Sequence, residues 1–241
     1  MDDIVKAVED ADKITAFTGA GMSVESGIAP FRGENGIWED FDPEEVASSR
    51  AFEENPKRCW ELFKLQIEEC FGSEPHRGHH ALVDMEEHGL STVITQNIDG
   101  LHQKAGSDKV LELHGTLDRL VCPSCGSEQK TVKFVDEIKK GDMPLCDCGD
   151  ILKPDVVLFG EALPHEALRQ AWREAKYCDL LFSLGTSAVV QPAASIPVKA
   201  KRSGAVIVEI NLKRTSLTDE VSDHFVKGKI GEKLPEIVND F

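Results

Sequence analysis

The sequence has little positive charge, few aromatic residues and no long apolar run. Its 241 residues include 27 lysines and arginines against 43 acidic residues, which gives a formal net charge of -16. A nucleic-acid-binding surface needs a basic patch, so this balance argues against a direct nucleic-acid partner. The acidity is typical of a soluble surface, and it is also compatible with attraction of a basic substrate such as a lysine-rich tail.

Neither a membrane segment nor a targeting segment is visible. The longest apolar runs, such as residues 156–159, have the length of a core strand and are far too short to span a bilayer. The first residues have no cationic start and lead into no long apolar stretch, which argues against a signal peptide. We expect a cytoplasmic protein without a membrane partner, acting as a monomer.

Disulfides are disfavoured in the cytosol, so the seven cysteines are interpreted first as metal ligands. Cys122 and Cys125 have the C-x2-C spacing of tetrahedral zinc sites, and Cys146 and Cys148 form a second pair that is one residue shorter. Four thiolates leave no open coordination position, so one structural zinc ion is predicted. The other cysteines lie in apolar or amphipathic stretches and are expected to be buried and inert: Cys59, Cys70 and Cys178.

Short apolar runs alternate with helical patterns along most of the chain. Strands are predicted at residues 14–18, 92–95, 180–184 and 205–210, and helices at residues 79–87 and 166–176. This alternation predicts an α/β fold with βαβ units and a parallel sheet covered on both faces. Two segments interrupt it and look like insertions that form a smaller module: residues 33–74, which are helical from Asn55-Pro56 onward, and residues 119–153, which hold the cysteines.

A glycine-bearing turn follows the first predicted strand. Gly19 and Gly21 let the backbone approach a pyrophosphate, and a following helix would point its N-terminus at the negative charge. The turn lacks the full G-x-G-x-x-G spacing, and any tight strand-to-helix turn also uses such glycines. In the next loop Arg32 can pair with phosphate and Phe31 can cover a reactive ring, although the loop by itself also fits an ordinary surface loop.

Polar residues follow the other predicted strands. Gln96, Asn97 and Asp99 come just after residues 92–95 and suit hydrogen bonding to an amide and to ribose hydroxyls. Asn97 or Asp99 can also cap a helix near residues 101–105, and both roles are compatible. The ends of two later strands face the same crevice and carry Gly185, Thr186, Ser187 and Asn211.

His114 ends the apolar stretch of residues 110–113. Imidazole titrates near neutral pH, so a histidine at a strand end within a cleft is a candidate general base. A lone histidine is more often structural, however, and seven other histidines compete for the role, including His79, His80 and His102.

Together these residues resemble the sirtuin family of NAD-dependent protein deacylases across essentially the whole chain. The matching stretches are residues 19–23, 30–33, 95–99, 113–115, 159–161 and 185–187, with Asn211 and the four clustered cysteines. The resemblance implies one catalytic domain over residues 1–241, in which NAD and an acyl-lysine enter between two parts. The Rossmann-type part comprises approximately residues 1–32, 76–118 and 154–241, and the small module comprises residues 33–75 and the zinc segment 119–153.

The resemblance also implies the role of each site residue. It makes His114 the base that deprotonates a ribose hydroxyl of NAD, while Asn97 and Asp99 position the nicotinamide and its ribose. The products are nicotinamide, O-acyl-ADP-ribose and free lysine. The implied NAD contacts include Gly19, Ala20, Gly21, Ser23, Phe31, Arg32, Gln96, Ile98, Gly185, Thr186, Ser187, Asn211 and Leu212. The implied contacts with an acyl-lysine protein, such as a basic chromatin-type protein, are Ala47, Phe63, Gln66, Val157, Phe159 and Gly160.

The sequence looks closest to the branch of the family that removes succinyl and malonyl groups, but it departs from that branch at two positions. The branch places a Tyr and an Arg three residues apart to hold the acyl carboxylate, and this chain has Phe63 and Gln66 there. Phe has no hydroxyl and Gln no charge, so the bidentate clamp is absent. We expect neutral acyl groups, acetyl or longer, to be preferred over succinyl, unless both residues are merely packing and surface positions.

Three other functions remain open. A desuccinylase or demalonylase would need another residue to hold the carboxylate. An ADP-ribosyltransferase or NAD glycohydrolase would cleave the same cofactor for another acceptor. A non-catalytic binding module is disfavoured, because Gln96, Asn97, Asp99 and His114 are all present.

Overall fold

The computed structural model describes residues 2–33 and 35–240. The strands are β1 (Ile14–Thr18), β2 (Leu90–Thr95), β3 (Val110–Glu112), β4 (Gly115–Val121), β5 (Glu128–Lys130), β6 (Lys153–Val156), β7 (Leu180–Leu184), β8 (Val206–Asn211) and β9 (His224–Lys227). The helices are α1 (Asp2–Glu9), α2 (Pro43–Val46), α3 (Ser49–Glu54), α4 (Pro56–Gly72), α5 (Arg77–Asp84), α6 (Leu101–Ala105), α7 (Val135–Lys140), α8 (His165–Tyr177), α9 (Ser195–Arg202), α10 (Ser216–Glu220) and α11 (Ile230–Val238).

The larger sheet has six strands in the order β3-β2-β1-β7-β8-β9, and every neighbouring pair is parallel. Counted within this sheet, that is the 3-2-1-4-5-6 order of a Rossmann fold. The order reverses between β1 and β7, and such a reversal opens a crevice at the carboxyl ends of the strands. The predicted α/β class with a parallel sheet is therefore confirmed.

Helices cover both faces of this sheet, so its central strands are buried along their whole length. All five residues of β1 and of β7 are buried. On one face Leu82 of α5 and Leu234 of α11 pack against the sheet, and on the other face Ala175 of α8 and Ile196 of α9 do so. A parallel sheet of this kind depends on burial of both faces, since its strands have no solvated side.

The second sheet is small, antiparallel and ordered β5-β4-β6. It shares an apolar cluster with α4, which includes Phe63 and Leu120. The Trp60 indole N–H donates to the Leu152 carbonyl at 3.1 Å and ties the helix to the cysteine-bearing segment. Helix α4 begins as the sequence predicts, because the Asn55 side chain accepts from the amide of Arg58.

Several predicted elements differ from those observed. The helix expected after the first glycine turn is replaced by two 3₁₀ turns, Ala20–Met22 and Val24–Ser26, so this turn does not lead directly into an α-helix. The strand expected at residues 92–95 begins at Leu90, because Leu90 pairs with Ile14. Strand β9 and the small sheet had no apolar pattern to reveal them. None of the helices within residues 2–33 and 35–240 is long and apolar enough to cross a membrane.

Candidate active site

Two glycine-bearing turns meet where the strand order reverses. The Gly19 amide donates to the Leu184 carbonyl at 3.0 Å, and the Gly21 amide donates to the Gly185 carbonyl at 2.8 Å. A Cβ at Gly21 would lie 2.8 Å from the Gly185 Cα, and Gly185 itself has a φ of +60°. Only glycine fits at such a contact, because a side chain would enter the neighbouring backbone. This cradle suits close approach of a phosphate to the main chain.

A hydrogen-bond network joins the polar residues after β2 to both turns. The side-chain amide of Gln96 donates to the Thr186 hydroxyl at 2.8 Å. The side-chain amide of Asn97 donates to the Gly19 carbonyl at 3.0 Å and to the Ser23 hydroxyl at 2.9 Å. Asn97 and Ser23 are both buried. Their side chains are therefore held in place by the fold.

Asp99 combines the two roles that the sequence left open. Its Oδ1 accepts from the Leu101 amide at 2.9 Å, so it pairs the first amide of α6, although the N-cap position itself is Gly100. Its Oδ2 accepts from the Ser23 hydroxyl at 2.6 Å, so it also belongs to the network. Burial raises the pKa of Asp99, although the hydrogen bonds from Ser23 and Leu101 act in the opposite direction. Among the described residues, the Leu101 amide donates to Asp99 and no helix amide donates to the Asn97 Oδ1, so Asn97 does not cap the helix.

His114 presents one ring nitrogen to the crevice. Its Nδ1 lies 2.9 Å from the backbone carbonyl oxygen of Gln96. A carbonyl only accepts hydrogen bonds, so in the neutral ring Nδ1 carries the hydrogen and Nε2 keeps its lone pair. Burial lowers the pKa of His114, and the hydrogen bond to Gln96 offsets part of that effect. A neutral, oriented imidazole at a cavity wall has the geometry of a general base.

The other histidines near the sheet lie behind the strand ends. His76, His79 and His102 form a row, with ring centroids 4.5 Å and 5.0 Å apart. The His102 Nε2 is 3.0 Å from the Thr18 hydroxyl, and burial lowers the pKa of His102 to about 4. Two cavities open beside the crevice, and among the histidines that the structure describes only His114 lines one of them. Position in the fold thus separates it from its seven competitors.

Two neighbouring cavities share Phe31, Gln66 and Ile98 in their walls. The larger has a volume of about 220 Å³, and His114 and Gln96 line it. The smaller has a volume of about 30 Å³ and is lined by Ala20, Ser23, Asn97 and Asp99, among others. The cofactor loop, the polar network and the candidate base therefore converge on one region.

Helix α4 contributes two lining residues of the smaller cavity that sequence reasoning did not assign to the site. These are Glu69 and Cys70. The buried thiol of Cys70 has a raised pKa, mainly because of burial, as expected for an inert cysteine. Both residues lie one turn beyond Gln66 at i+3 and i+4, so helical spacing was the signal that could have placed them beside it.

The loop after the first turn lies along the larger cavity. The Phe31 ring is 5.3 Å from Trp38, and the Trp38 ring is 6.4 Å from Phe159. Arg32 is exposed and also lines this cavity. Trp38 was missed because no motif marks it.

The two later strand ends lie at the same crevice. The side-chain amide of Asn211 donates to the backbone carbonyl of Thr186 at 3.0 Å. Leu212 donates its amide to the Asn211 Oδ1 at 2.9 Å, and its side chain is exposed. Ser187 is exposed beside Thr186. The structure thus joins Asn211 and Thr186 directly and leaves Ser187 and Leu212 facing outward.

Residues 157–160 form an extended rim of the larger cavity. The Phe159 amide donates to the Ala47 carbonyl at 2.8 Å, and the Val157 amide donates to the His114 carbonyl at 2.9 Å. Gly160, with a φ of +92°, ends the segment. The protein itself uses the Val157 amide and both backbone groups of Phe159, so a peptide added as a strand would pair with the remaining backbone groups of this rim.

Phe63 and Gln66 both lie on the buried face of α4 and line the larger cavity. Phe63 is 1% exposed and packs edge-to-face on Trp60 at 5.6 Å. Gln66 is 6% exposed, so it is not a surface position of the helix.

The four predicted zinc ligands come together. Their sulfurs all lie within 4.8 Å of one another, with Cys122 and Cys148 at 3.5 Å and Cys125 and Cys146 at 3.6 Å. A tetrahedral zinc with Zn–S bonds of about 2.3 Å places sulfurs about 3.8 Å apart, so the set fits the ion.

The shorter second cysteine pair has a local explanation. The Gly126 amide returns to the Cys122 carbonyl at 2.9 Å, whereas the Gly149 amide returns to the Cys146 carbonyl at 2.8 Å. The second turn closes one residue sooner than the first. Both glycines have positive φ, which such tight returns favour.

Comparison with known proteins agrees with this architecture. A model of the Sir2 family matches residues 19–192. A relative from Archaeoglobus fulgidus named NAD-dependent protein deacylase 2 is 46% identical over 245 residues, covering 99% of this chain and 96% of the relative.

Solved structures are also similar over the full length. A Sir2 homologue in complex with NAD has a TM-score of 0.92 and 40% identity, covering 100% of this chain and 93% of that one. A Sir2 protein with a deacetylated p53 peptide and 3'-O-acetyl-ADP-ribose has a TM-score of 0.94 and 34% identity, with coverage of 100% and 98%. The sheet and the cysteine module define a Rossmann-type α/β protein with a metal-binding insertion. The chain belongs to the Sir2 family, as the sequence resemblance predicted.

Proposed function

We propose that this Sir2-family chain is an NAD-dependent protein-lysine deacylase that prefers acetyl over succinyl groups. The observation that carries the proposal is His114, which is hydrogen-bonded through Nδ1 and has its Nε2 free at the wall of the larger cavity. The names of the relatives support it, since one is a deacylase and two are Sir2 structures with NAD or with acetyl-ADP-ribose and a peptide. The products are nicotinamide, O-acyl-ADP-ribose and free lysine.

NAD, when bound, supplies the ribose carbon that receives the acyl oxygen and the nicotinamide that leaves. One water molecule is consumed when the bond between the acyl carbon and the lysine nitrogen breaks and lysine leaves as the free amine. We assign the His114 Nε2 the removal of a proton from a ribose hydroxyl, for which a positioned base contributes about 10²–10⁴-fold. Asn97 and Asp99 hold the nicotinamide and its ribose, and Gln96 contacts the ribose. Because a carbonyl oxygen is a poor nucleophile, the remaining acceleration comes from enforced proximity and exclusion of water.

The other proposed contacts surround these residues. The glycine cradle and its neighbours take the phosphates and the remaining nucleotide: Gly19, Ala20, Gly21, Ser23, Phe31, Arg32, Ile98, Gly185, Thr186, Ser187, Asn211 and Leu212. The peptide lies along Val157, Phe159 and Gly160 beside Ala47, and its backbone pairs with those groups of this segment that the protein does not already use. Cys122, Cys125, Cys146 and Cys148 hold one structural zinc ion, which stabilises the small module and has no open position for catalysis.

The preference for neutral acyl groups follows from α4. Phe63 and Gln66 line the larger cavity, and neither carries a charge. Arg32 also lines this cavity, but we assign it to the NAD phosphates. A succinyl carboxylate beside Phe63 and Gln66 would therefore lose its hydration without gaining an ion pair, and that loss is costly. An acetyl group has no such cost.

Three further assignments belong to the proposal. The substrate is a basic chromatin-type protein, which the net charge of -16 favours electrostatically. The protein acts as a cytoplasmic monomer. The catalytic unit is the whole chain, divided into the sheet domain and the small module at the boundaries predicted from the sequence.

The test is NAD-dependent nicotinamide release by the purified protein with matched acetyl-lysine and succinyl-lysine peptides. We expect turnover of the acetyl peptide, its loss in His114→Ala, and unchanged turnover in His165→Ala, a control at an exposed histidine. Equal release without any peptide would instead indicate an ADP-ribosyltransferase or NAD glycohydrolase. Preferential turnover of the succinyl peptide would overturn the acyl preference.

A further inference from the structure

Gln66 is the polar member of an otherwise apolar helix face. The buried residues around it on α4 are Leu62, Phe63, Ile67 and Cys70. Within the described part of the chain, no hydrogen bond joins the Gln66 side-chain amide to another residue. Neither amide atom is sealed inside the protein, so the amide faces cavity space.

The position of this amide makes it available to a substrate. The larger cavity has a volume of about 220 Å³, whereas a single water needs only about 10–15 Å³ of such space, so there is room beyond a methyl group. Leu62, Phe63 and Leu158 supply apolar walls beside Gln66. The other amides and the imidazole that line this cavity, Gln96, Gln191 and His114, come from other segments of the chain. An acyl chain that lies against the buried face of α4 meets Gln66 as the group of that face able to donate and to accept a hydrogen bond.

The chemistry of the surroundings selects among acyl groups. A plain alkyl chain would displace water from the Gln66 amide and leave that amide unpaired, which disfavours it. A terminal carboxylate would meet a neutral amide here, and Glu69 in the adjoining cavity adds like charge. A hydroxyl is neutral and both donates and accepts, so it matches the two functions of the amide.

We propose that Gln66 is a specificity-determining residue and that this site favours short acyl groups bearing a hydroxyl, represented by 3-hydroxybutyryl-lysine and 4-hydroxybutyryl-lysine. The inference rests on the proposed deacylase function and names its substrate class. Gln66 touches the acyl group and takes no part in proton transfer.

The experiment compares each hydroxyacyl peptide with its methyl isostere under the same NAD-dependent assay. The pairs are 3-hydroxybutyryl with 3-methylbutyryl and 4-hydroxybutyryl with pentanoyl, on one peptide sequence, with both enantiomers of the 3-hydroxy compound. We expect kcat/KM for at least one hydroxyacyl peptide to exceed that of its isostere by about tenfold. In Gln66→Leu the ratio should fall to about one, because the isostere gains while the hydroxyl loses its partner.

Glu68→Gln is the matched control on the exposed side of the same helix, and it should keep the wild-type ratio. A wild-type ratio near one for both pairs, or a ratio that survives in Gln66→Leu, would overturn the inference. If Gln66→Leu does not fold, the wild-type ratios and those of Gln66→Asn decide the question. Absence of turnover with every acyl peptide would reject the deacylase function itself, whereas turnover without a hydroxyl preference would reject only the role of Gln66.

Discussion

At the scale of single residues, one nitrogen of His114 carries the proposed chemistry. The Gln96 carbonyl fixes the hydrogen on Nδ1 and thereby directs the basic lone pair of Nε2 to the cavity. Because Gln96 also donates to Thr186, the orientation of the base is linked to the second strand end. A change at Thr186 therefore reaches the base only indirectly, through the side chain and then the backbone of Gln96.

The pH dependence of kcat/KM tests the protonation state of this base. Burial lowers the pKa of His114 from its ordinary value of 6.5, and only the neutral ring accepts a proton. Activity on an acetyl-lysine peptide should fall on the acid side with a midpoint below pH 6.5. Asp99→Asn should lower the activity but keep this acid limb, because it leaves the His114 titration in place. A midpoint above pH 6.5 would contradict the assignment.

At the scale of elements, the closest packing in the site is between the turns that follow β1 and β7. A β-carbon at Gly21 would lie 2.8 Å from Gly185 backbone, and neither strand can retreat because both are buried along their whole length. The turn therefore depends on glycine for its geometry as well as for access to a phosphate.

Gly21→Ala tests that packing. We expect weaker NAD binding by at least about tenfold and a lower Tm, because the neighbouring backbone must shift to admit the methyl group. Gly72→Ala is the matched control, since nothing lies within 4 Å of its added carbon. The control should leave NAD binding unchanged and stabilise the protein by up to about 1 kcal/mol. Titration calorimetry and thermal unfolding measure both effects, and equal behaviour of the two variants would refute the argument.

The cysteine module makes a second prediction at this scale. Cys148→Ser should reduce bound zinc from about one ion per chain and lower the free energy of unfolding by about 3 kcal/mol or more, since metal binding contributes directly to folding. Cys178→Ala, a buried cysteine outside the cluster, should retain its zinc. Metal analysis and denaturant unfolding give the readouts. Full zinc content in Cys148→Ser would remove Cys148 from the ligand set.

At the scale of the whole molecule, the strand order places the site. The reversal between β1 and β7 brings together turns that are more than a hundred residues apart in the chain, and α4 closes the crevice from the side of the small module. The row of His76, His79 and His102 lies inside this arrangement, and burial lowers the pKa of His79 and of His102, so both rings are neutral in the folded chain. That burial links the stability of the fold to pH.

Acid should destabilise the protein in a range set by these histidines. Burial lowers the pKa of His102 to about 4 from the ordinary value of 6.5, with a further contribution from His76. Between those two pKa values the unfolded chain binds a proton that the folded chain does not. The free energy of unfolding therefore decreases as the pH is lowered, by up to about 1.4 kcal/mol per pH unit for this group. Urea unfolding at several pH values measures the slope. His102→Gln should reduce the slope and His165→Gln should not, and identical slopes in all three proteins would refute the assignment.

The sequence by itself determined the features that depend on local pattern. The alternation of apolar runs with helical periods predicted the parallel sheet, Asn55-Pro56 predicted the start of α4, and cysteine spacing predicted the metal cluster. The same local patterns predicted the ends of strands incorrectly, and they predicted a helix where the structure has two 3₁₀ turns. Strand ends are fixed by partners elsewhere in the sheet, and no local period encodes them.

Only the tertiary structure decided which groups face the crevice. The sequence alone does not distinguish the eight histidines from one another. In the structure His114 lines the larger cavity, whereas the other histidines are buried behind the strand ends or exposed at the surface. In the same way, Gln66 was one polar residue in a helix until packing placed its amide at the wall of two cavities. The physical reason is that pKa, access and hydrogen-bond partners depend on what surrounds a side chain, and those surroundings come from distant parts of the chain.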